Sequence, residues 1–90
     1  KGRHTIIAQW EGPVLINSTG NAGLAQGGSG DVLAGYLSAL MAQPLFHQRA
    51  IQAAAYSAWR HGRCADSLDE SNVYWGTEDL IQELGRDEFI

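Results

Sequence analysis

Between Asn21 and Leu33 the chain reads NAGLAQGGSGDVL, and this stretch holds the residues best suited to chemistry. Consecutive glycines lack Cβ atoms, so the backbone can turn tightly and bring several N–H groups close to a ligand. A helix opening after them leaves its first N–H groups unpaired and carries partial positive charge at that end. Gly27, Gly28, Ser29 and Gly30 then form an anion hole suited to phosphate oxygens, with the Ser29 hydroxyl as a further donor. Asp31 follows at once, a carboxylate beside an anion site. It can act as the general base that takes the proton of a hydroxyl attacking the held phosphoryl group, help of about 10²–10⁴-fold in rate. It can equally do no more than stabilise the helix start by about 0.3–1 kcal/mol through the dipole. The spacing fits neither GxxxxGK[ST] nor a GxGxxG directly after a strand, so the glycines alone leave both readings open.

Other reactive residue types carry weaker signals. Lys1, Arg3 and His4 cluster at the start and can form a locally positive pocket. Taken alone they read as solvated charges at a strand edge and a surface histidine. His61, near the expected end of a helix, reads as a capping or dipole-stabilising residue rather than a catalyst. No His/Cys set has zinc spacing, and Cys64 has no obvious base nearby, so it reads as an inert thiol. Tyr56 and Trp59 read as packing residues, whereas Trp10 and Trp75 could line the edge of a nucleotide.

The elements that must position these residues follow from the pattern. Thr5 to Gln9 and Val14 to Asn17 are β-branched, apolar runs separated by WEGP, whose Gly12-Pro13 marks a turn, so a hairpin or two neighbouring strands is expected. Ser18 to Gly30 is small, polar and glycine-rich, and reads as a loop. Val32, Leu33, Tyr36, Leu37, Leu40 and Met41 then repeat on one helical face, with Asp31 in the first turn and Pro44 closing the segment. A second helix is expected from about His47 to His61, stopping at Gly62, with a stripe of Ala50, Ala53, Ala54, Ser57 and Ala58 that allows close approach. CADSLDESN reads as a polar connection, and Thr77 as the N-cap of a short helix, TEDLIQEL, ending at Gly85.

The order is strand, strand, glycine loop and three helices, an α/β class. A lone two-stranded hairpin is marginal in water, so the chain reads as the C-terminal part of an α/β domain whose other strands lie elsewhere. With 90 residues and a hydrophobic fraction of 44%, no more than one domain is expected. The net charge of -4 disfavours nucleic acid or an anionic membrane as the main partner. The longest uncharged apolar stretch, Val32 to Phe46, contains Gly35 and Pro44 and falls short of the ~20 residues of a membrane span. One cysteine forbids an intrachain disulfide and suits a reducing cytoplasm. No signal peptide is visible, and Lys1 in place of an initiator methionine leads us to expect sequence upstream.

TGNAGLAQGGSGDVLAGYLSALMAQ resembles the signature of the NAD(P)H-hydrate dehydratases, members of the ribokinase-like superfamily, which typically carry GN-x-GMA-x-GG[TS]GDVL-x-G. The resemblance continues in AAAYSAWRHG, similar to an Ala-rich helix ending in His-Gly, and in KGRHT, similar to a KG-x-x-T segment. It spans nearly the whole chain, and the GGSGDVLAG core is its specific part. Leu24 stands where the family usually has Met, Gln26 where it often has Thr, and CADSL replaces a more usual A-G-D.

The resemblance implies the C-terminal part of a ribokinase-like three-layer α/β/α domain, with residues 1–90 forming one portion of it. It implies dehydration of the S epimer of NADHX or NADPHX, driven by ADP or ATP with Mg²⁺, through phosphorylation of the hydrate hydroxyl and elimination of phosphate. Lys1, Gly2, Arg3, His4 and Thr5 match its adenine-nucleotide segment, Gly30 a nucleotide contact, and Asp31 the residue that meets the hydrate as catalytic base. A homo-oligomer, a tetramer in the family, is also implied. Another ribokinase-like kinase of a vitamin precursor or sugar, or a nucleotide-binding piece without turnover, are the alternatives.

Overall fold

The computed structural model describes residues 4–86. Strands β1 (Thr5–Ile7) and β2 (Leu15–Asn17) pair antiparallel, with Ile6 opposite Ile16 and Ile7 opposite Leu15. Both are shorter than the apolar runs that suggest them. The alternation places Ile6 and Ile16 on an open face, 63% and 65% exposed, while Thr5, Ile7 and Asn17 are half-buried on the side of the helices.

Helix α1 runs Ser29–Met41 with Asp31 in its first turn as expected, and takes in the last two residues of the expected loop, because Gly28 takes the N-cap in a left-handed conformation with φ 95°. Only glycine adopts that geometry readily. The loop before it is not wholly irregular. Asn21 caps a short 3-10 turn, Ala22–Leu24, by accepting the Gly23 N–H on Oδ1 at 2.8 Å.

Helix α2 is the main departure from expectation. It runs Ala50–Ser71, 22 residues, straight through Gly62 and most of CADSLDESN. Aspartate and serine favour turns and caps when nothing else holds them, but here tertiary contacts decide. Cys64, Ala65 and Leu68 are buried in the core with Trp75, Leu80 and Leu84, and Asp69 accepts the Trp75 indole N–H at 3.2 Å. The helix stops at Asn72, whose N–H and side-chain amide both bond the Leu68 carbonyl. Gly62 is no helix stop. A Cβ there would lie 2.1 Å from the Thr19 hydroxyl oxygen and 2.6 Å from its carbonyl carbon, so only glycine lets the loop cross the helix.

Helix α3 (Thr77–Gly85) has Gly76, not Thr77, as N-cap; Asp79 steadies it by accepting the Gly76 N–H at 2.8 Å. The three helices enclose the core, with Leu24, Val32 and Tyr36 at its margin, and α2 also touches both strands. The architecture is mixed α/β: three helices beside a two-stranded sheet. Among the described residues no helix is long and apolar enough to cross a membrane.

Candidate active site

The glycine run turns at Gln26–Gly28 and opens directly into α1. The N–H groups of Gly27, Gly28, Gly30 and Asp31 have no hydrogen-bond partner among the described residues. A Cβ at Gly27 would meet nothing within 4 Å, so the space before the loop is open. Unpaired donors at a helix N-terminus constitute an anion-binding arrangement.

Ser29 departs from the expectation of a ligand-facing hydroxyl. It is 2% exposed, and its hydroxyl donates to the Leu24 carbonyl, while its N–H donates to Gln26 O at 3.3 Å. From behind, His61 Nε2 lies 3.0 Å from the Ser29 carbonyl oxygen. A carbonyl only accepts, so that nitrogen carries a proton. His61 is therefore a buried, mid-helix residue that braces the start of α1, not a capping residue at the end of α2.

Asp31 lies in the first turn of α1, exposed, with no hydrogen bond or ion pair to another described residue. Beside it a cavity of about 530 Å³ runs between α1 and α3, lined by Val32, Gly35, Tyr36, Ile81 and Leu84. A second cavity, about 840 Å³, lies on the other side of the loop. Thr5, Asn17, Thr19, Asn21, His61 and Gly62 contribute to it. Of the residues from Gly27 to Asp31, Asp31 alone lines the cavity between α1 and α3, and Thr5 belongs to the other cavity. His4 is exposed, and Lys1, Gly2 and Arg3 lie outside the described residues.

The two tryptophans considered for a nucleotide edge differ. Trp10 is 97% exposed in the connection between the strands. Trp75 is 6% exposed and packs so tightly on Gly23 that a Cβ there would lie 2.6 Å from its ring, so it supports the loop from within.

What the sequence reading missed is the seat of the loop on α2. Asn17 Nδ2 donates to Ala58 O at 3.3 Å, Thr19 Oγ1 to Trp59 O at 3.0 Å, and the Asp66 carboxylate accepts from Gly20 and Asn21. One signal could have found it: the stripe through Ala58, His61 and Gly62 continues at Ala65 and Leu68 with helical spacing, which carries Asp66 onto the helix.

With this geometry the sequence comparison is decisive. The sequence model of the NAD(P)H-hydrate dehydratases matches residues 1–86, which include both the glycine loop and its α2 seat. The chain belongs to the NAD(P)H-hydrate dehydratase family. Within that family it is 45% identical over 73 residues to an ADP-dependent (S)-NAD(P)H-hydrate dehydratase of Neisseria meningitidis, a match covering 79% of this chain and 23% of the relative. A bifunctional NAD(P)H-hydrate repair enzyme of Moorella thermoacetica is 47% identical over 66 residues, covering 73% of this chain and 12% of the relative. The ADP-dependent dehydratase of Bacillus subtilis is 36% identical over 66 residues, covering 73% and 23%. The chain therefore spans a quarter or less of these dehydratase-family relatives. No solved structure gives a significant match.

Proposed function

We propose that the protein carrying these residues dehydrates (S)-NADHX or (S)-NADPHX to the reduced cofactor, with ADP or ATP as phosphoryl donor. The observation that carries this is the row of amides at Gly27, Gly28 and Gly30 next to the carboxylate of Asp31, all without a hydrogen-bond partner among the described residues. In this reading Asp31 takes the proton of the hydrate hydroxyl, and the oxygen attacks the terminal phosphorus while the shortened nucleotide leaves. The phosphate ester then breaks at carbon, expelling phosphate, and loss of a proton from the neighbouring carbon forms the double bond. The amides bear on the charge of the transferring group, where one lost donor can raise the barrier by ~2.7–4 kcal/mol.

Lys1, Gly2, Arg3, His4, Thr5 and Gly30 are assigned to the nucleotide on family resemblance. Mg²⁺ would travel with the nucleotide phosphates; among the described residues no group of three or more His, Cys, Asp or Glu side chains could hold a metal ion.

We further assign the chain to the C-terminal portion of a ribokinase-like three-layer α/β/α domain. In support, Ile6 and Ile16 form an uncovered apolar face on a sheet of two strands, too few to stand alone. A homo-oligomer and a cytoplasmic setting, where the single buried thiol of Cys64 stays reduced, complete the proposal.

The test is direct. Full-length protein incubated with NADHX and ADP or ATP should restore absorbance at the reduced-nicotinamide band. Phosphorylation of a pyrimidine alcohol with no action on the hydrate would replace this reading with that of a vitamin-precursor kinase.

A further inference from the structure

Asp66 lies on α2, outside the glycine loop and outside the cavity beside Asp31. Its carboxylate nevertheless takes two hydrogen bonds from the segment that leads into the loop. The Gly20 N–H donates to Oδ2 at 3.1 Å, and Asn21 Nδ2 donates to Oδ1 at 3.0 Å. Bonds to an ionised acceptor are stronger than neutral ones, so this is a firm attachment. It does not end at Asn21. The same side chain accepts the Gly23 N–H on its own Oδ1 at 2.8 Å and so fixes the Ala22–Leu24 turn.

That turn presents two carbonyls to the glycine run. Gly23 O accepts Gln26 Nε2 at 2.6 Å, and Leu24 O accepts the Ser29 hydroxyl. Gln26 and Ser29 bracket the Gly27-Gly28 pair. A continuous series of hydrogen bonds therefore joins Asp66 to both ends of the anion-binding backbone. The crossing at Gly62 leaves no slack between loop and helix, because Thr19 already occupies the space a Cβ would need.

We infer that Asp66 is the positioning residue of the anion hole, holding the Gly27, Gly28 and Gly30 amides in register with Asp31 through Asn21 and the Ala22–Leu24 turn. The inference rests on the phosphoryl-transfer reading above and deepens it. A side-chain amide at position 66 cannot do the same work. Both contacts of the carboxylate are donors, so an amide can satisfy one of them and turns an N–H toward the other. Exchanging the two residue types between positions 21 and 66 does preserve every bond. In N21D/D66N the amide on α2 would accept from Gly20 and donate to the carboxylate on the loop, which still accepts from Gly23.

The experiment compares D66N and the exchange N21D/D66N with wild type in the full-length protein. D66N is expected to lower turnover of NADHX about 10²-fold, mainly in kcat, the scale of an ångström-level misplacement at a reacting centre. The ¹H–¹⁵N resonances of Gly27, Gly28 and Gly30 should move in D66N without any substrate present. Both effects should revert in N21D/D66N. Wild-type kinetics and unmoved glycine resonances in D66N would overturn the inference, as would an exchange variant that fails to fold or folds without recovery. If D66N itself does not fold, the exchange variant decides alone. Wild-type protein without turnover sinks the dehydratase reading, and the resonances then decide the positioning inference separately.

Discussion

Thr19 and Gly62 meet closely enough to dictate which amino acid stands at position 62: a Cβ built there would fall 2.1 Å from the Thr19 hydroxyl oxygen and 2.7 Å from its carbonyl oxygen. The contact seats the approach to the glycine loop on α2. Gly62→Ala must push the loop away and disturb the Thr19 bond to Trp59 O. Overpacking of this kind costs about 1–3 kcal/mol, which urea unfolding would register as a lower midpoint at unchanged slope. An unaltered midpoint would mean the crossing is looser than described.

Asp31→Asn should separate catalysis from binding. The amide cannot take a proton, whereas the loop amides are untouched, so kcat should fall about 10²–10⁴-fold while nucleotide affinity by calorimetry stays within a few-fold. Equal loss of both would assign Asp31 to the helix start alone.

Gly27 and Gly28 are adjacent yet should respond differently to valine. Gly28 has φ 95°, where a side chain costs about 1–2 kcal/mol, so Gly28→Val should lower both stability and nucleotide affinity. Gly27 is not among the positive-φ glycines, and its Cβ would meet no other atom within 4 Å. Gly27→Val should therefore leave the thermal midpoint in place and still weaken nucleotide binding by filling the open space. Undiminished affinity in both variants would show that phosphate does not approach this backbone.

In the core, Leu80 is fully buried against α2 residues and Trp75. Leu80→Ala should cost about 2–5 kcal/mol, read by denaturant unfolding. A much smaller loss would mean that the three helices can close the gap.

These residues also show what was legible beforehand. The β-branched, apolar runs TIIAQ and VLIN and the turn at Gly12-Pro13 gave away the paired strands, and the 3.6-residue rhythm after Asp31 gave away α1. GGSGD marked the glycine turn that opens α1 because glycine content and helix start are both local properties. The extent of α2 was not local. Gly62 carries two opposite meanings, helix stop or close crossing, and only the position of Thr19 distinguishes them. Asp66 and Asp69 favour a connection by propensity, yet each is held on the helix by a partner distant in sequence or beyond the helix end, Asn21 and Trp75. Ser29 was misjudged for the same reason, since its hydroxyl has an internal acceptor that no spacing rule announces.

The seat of the loop on Ala58, Trp59 and Asp66 has a thermodynamic consequence for whatever anion arrives. Donors immobilised when the chain folds lose little further conformational freedom on meeting a ligand, and preorganisation of this sort cuts the entropic penalty of association. Phosphate capture should then be driven by enthalpy, with a small heat-capacity change because the surfaces brought together are polar.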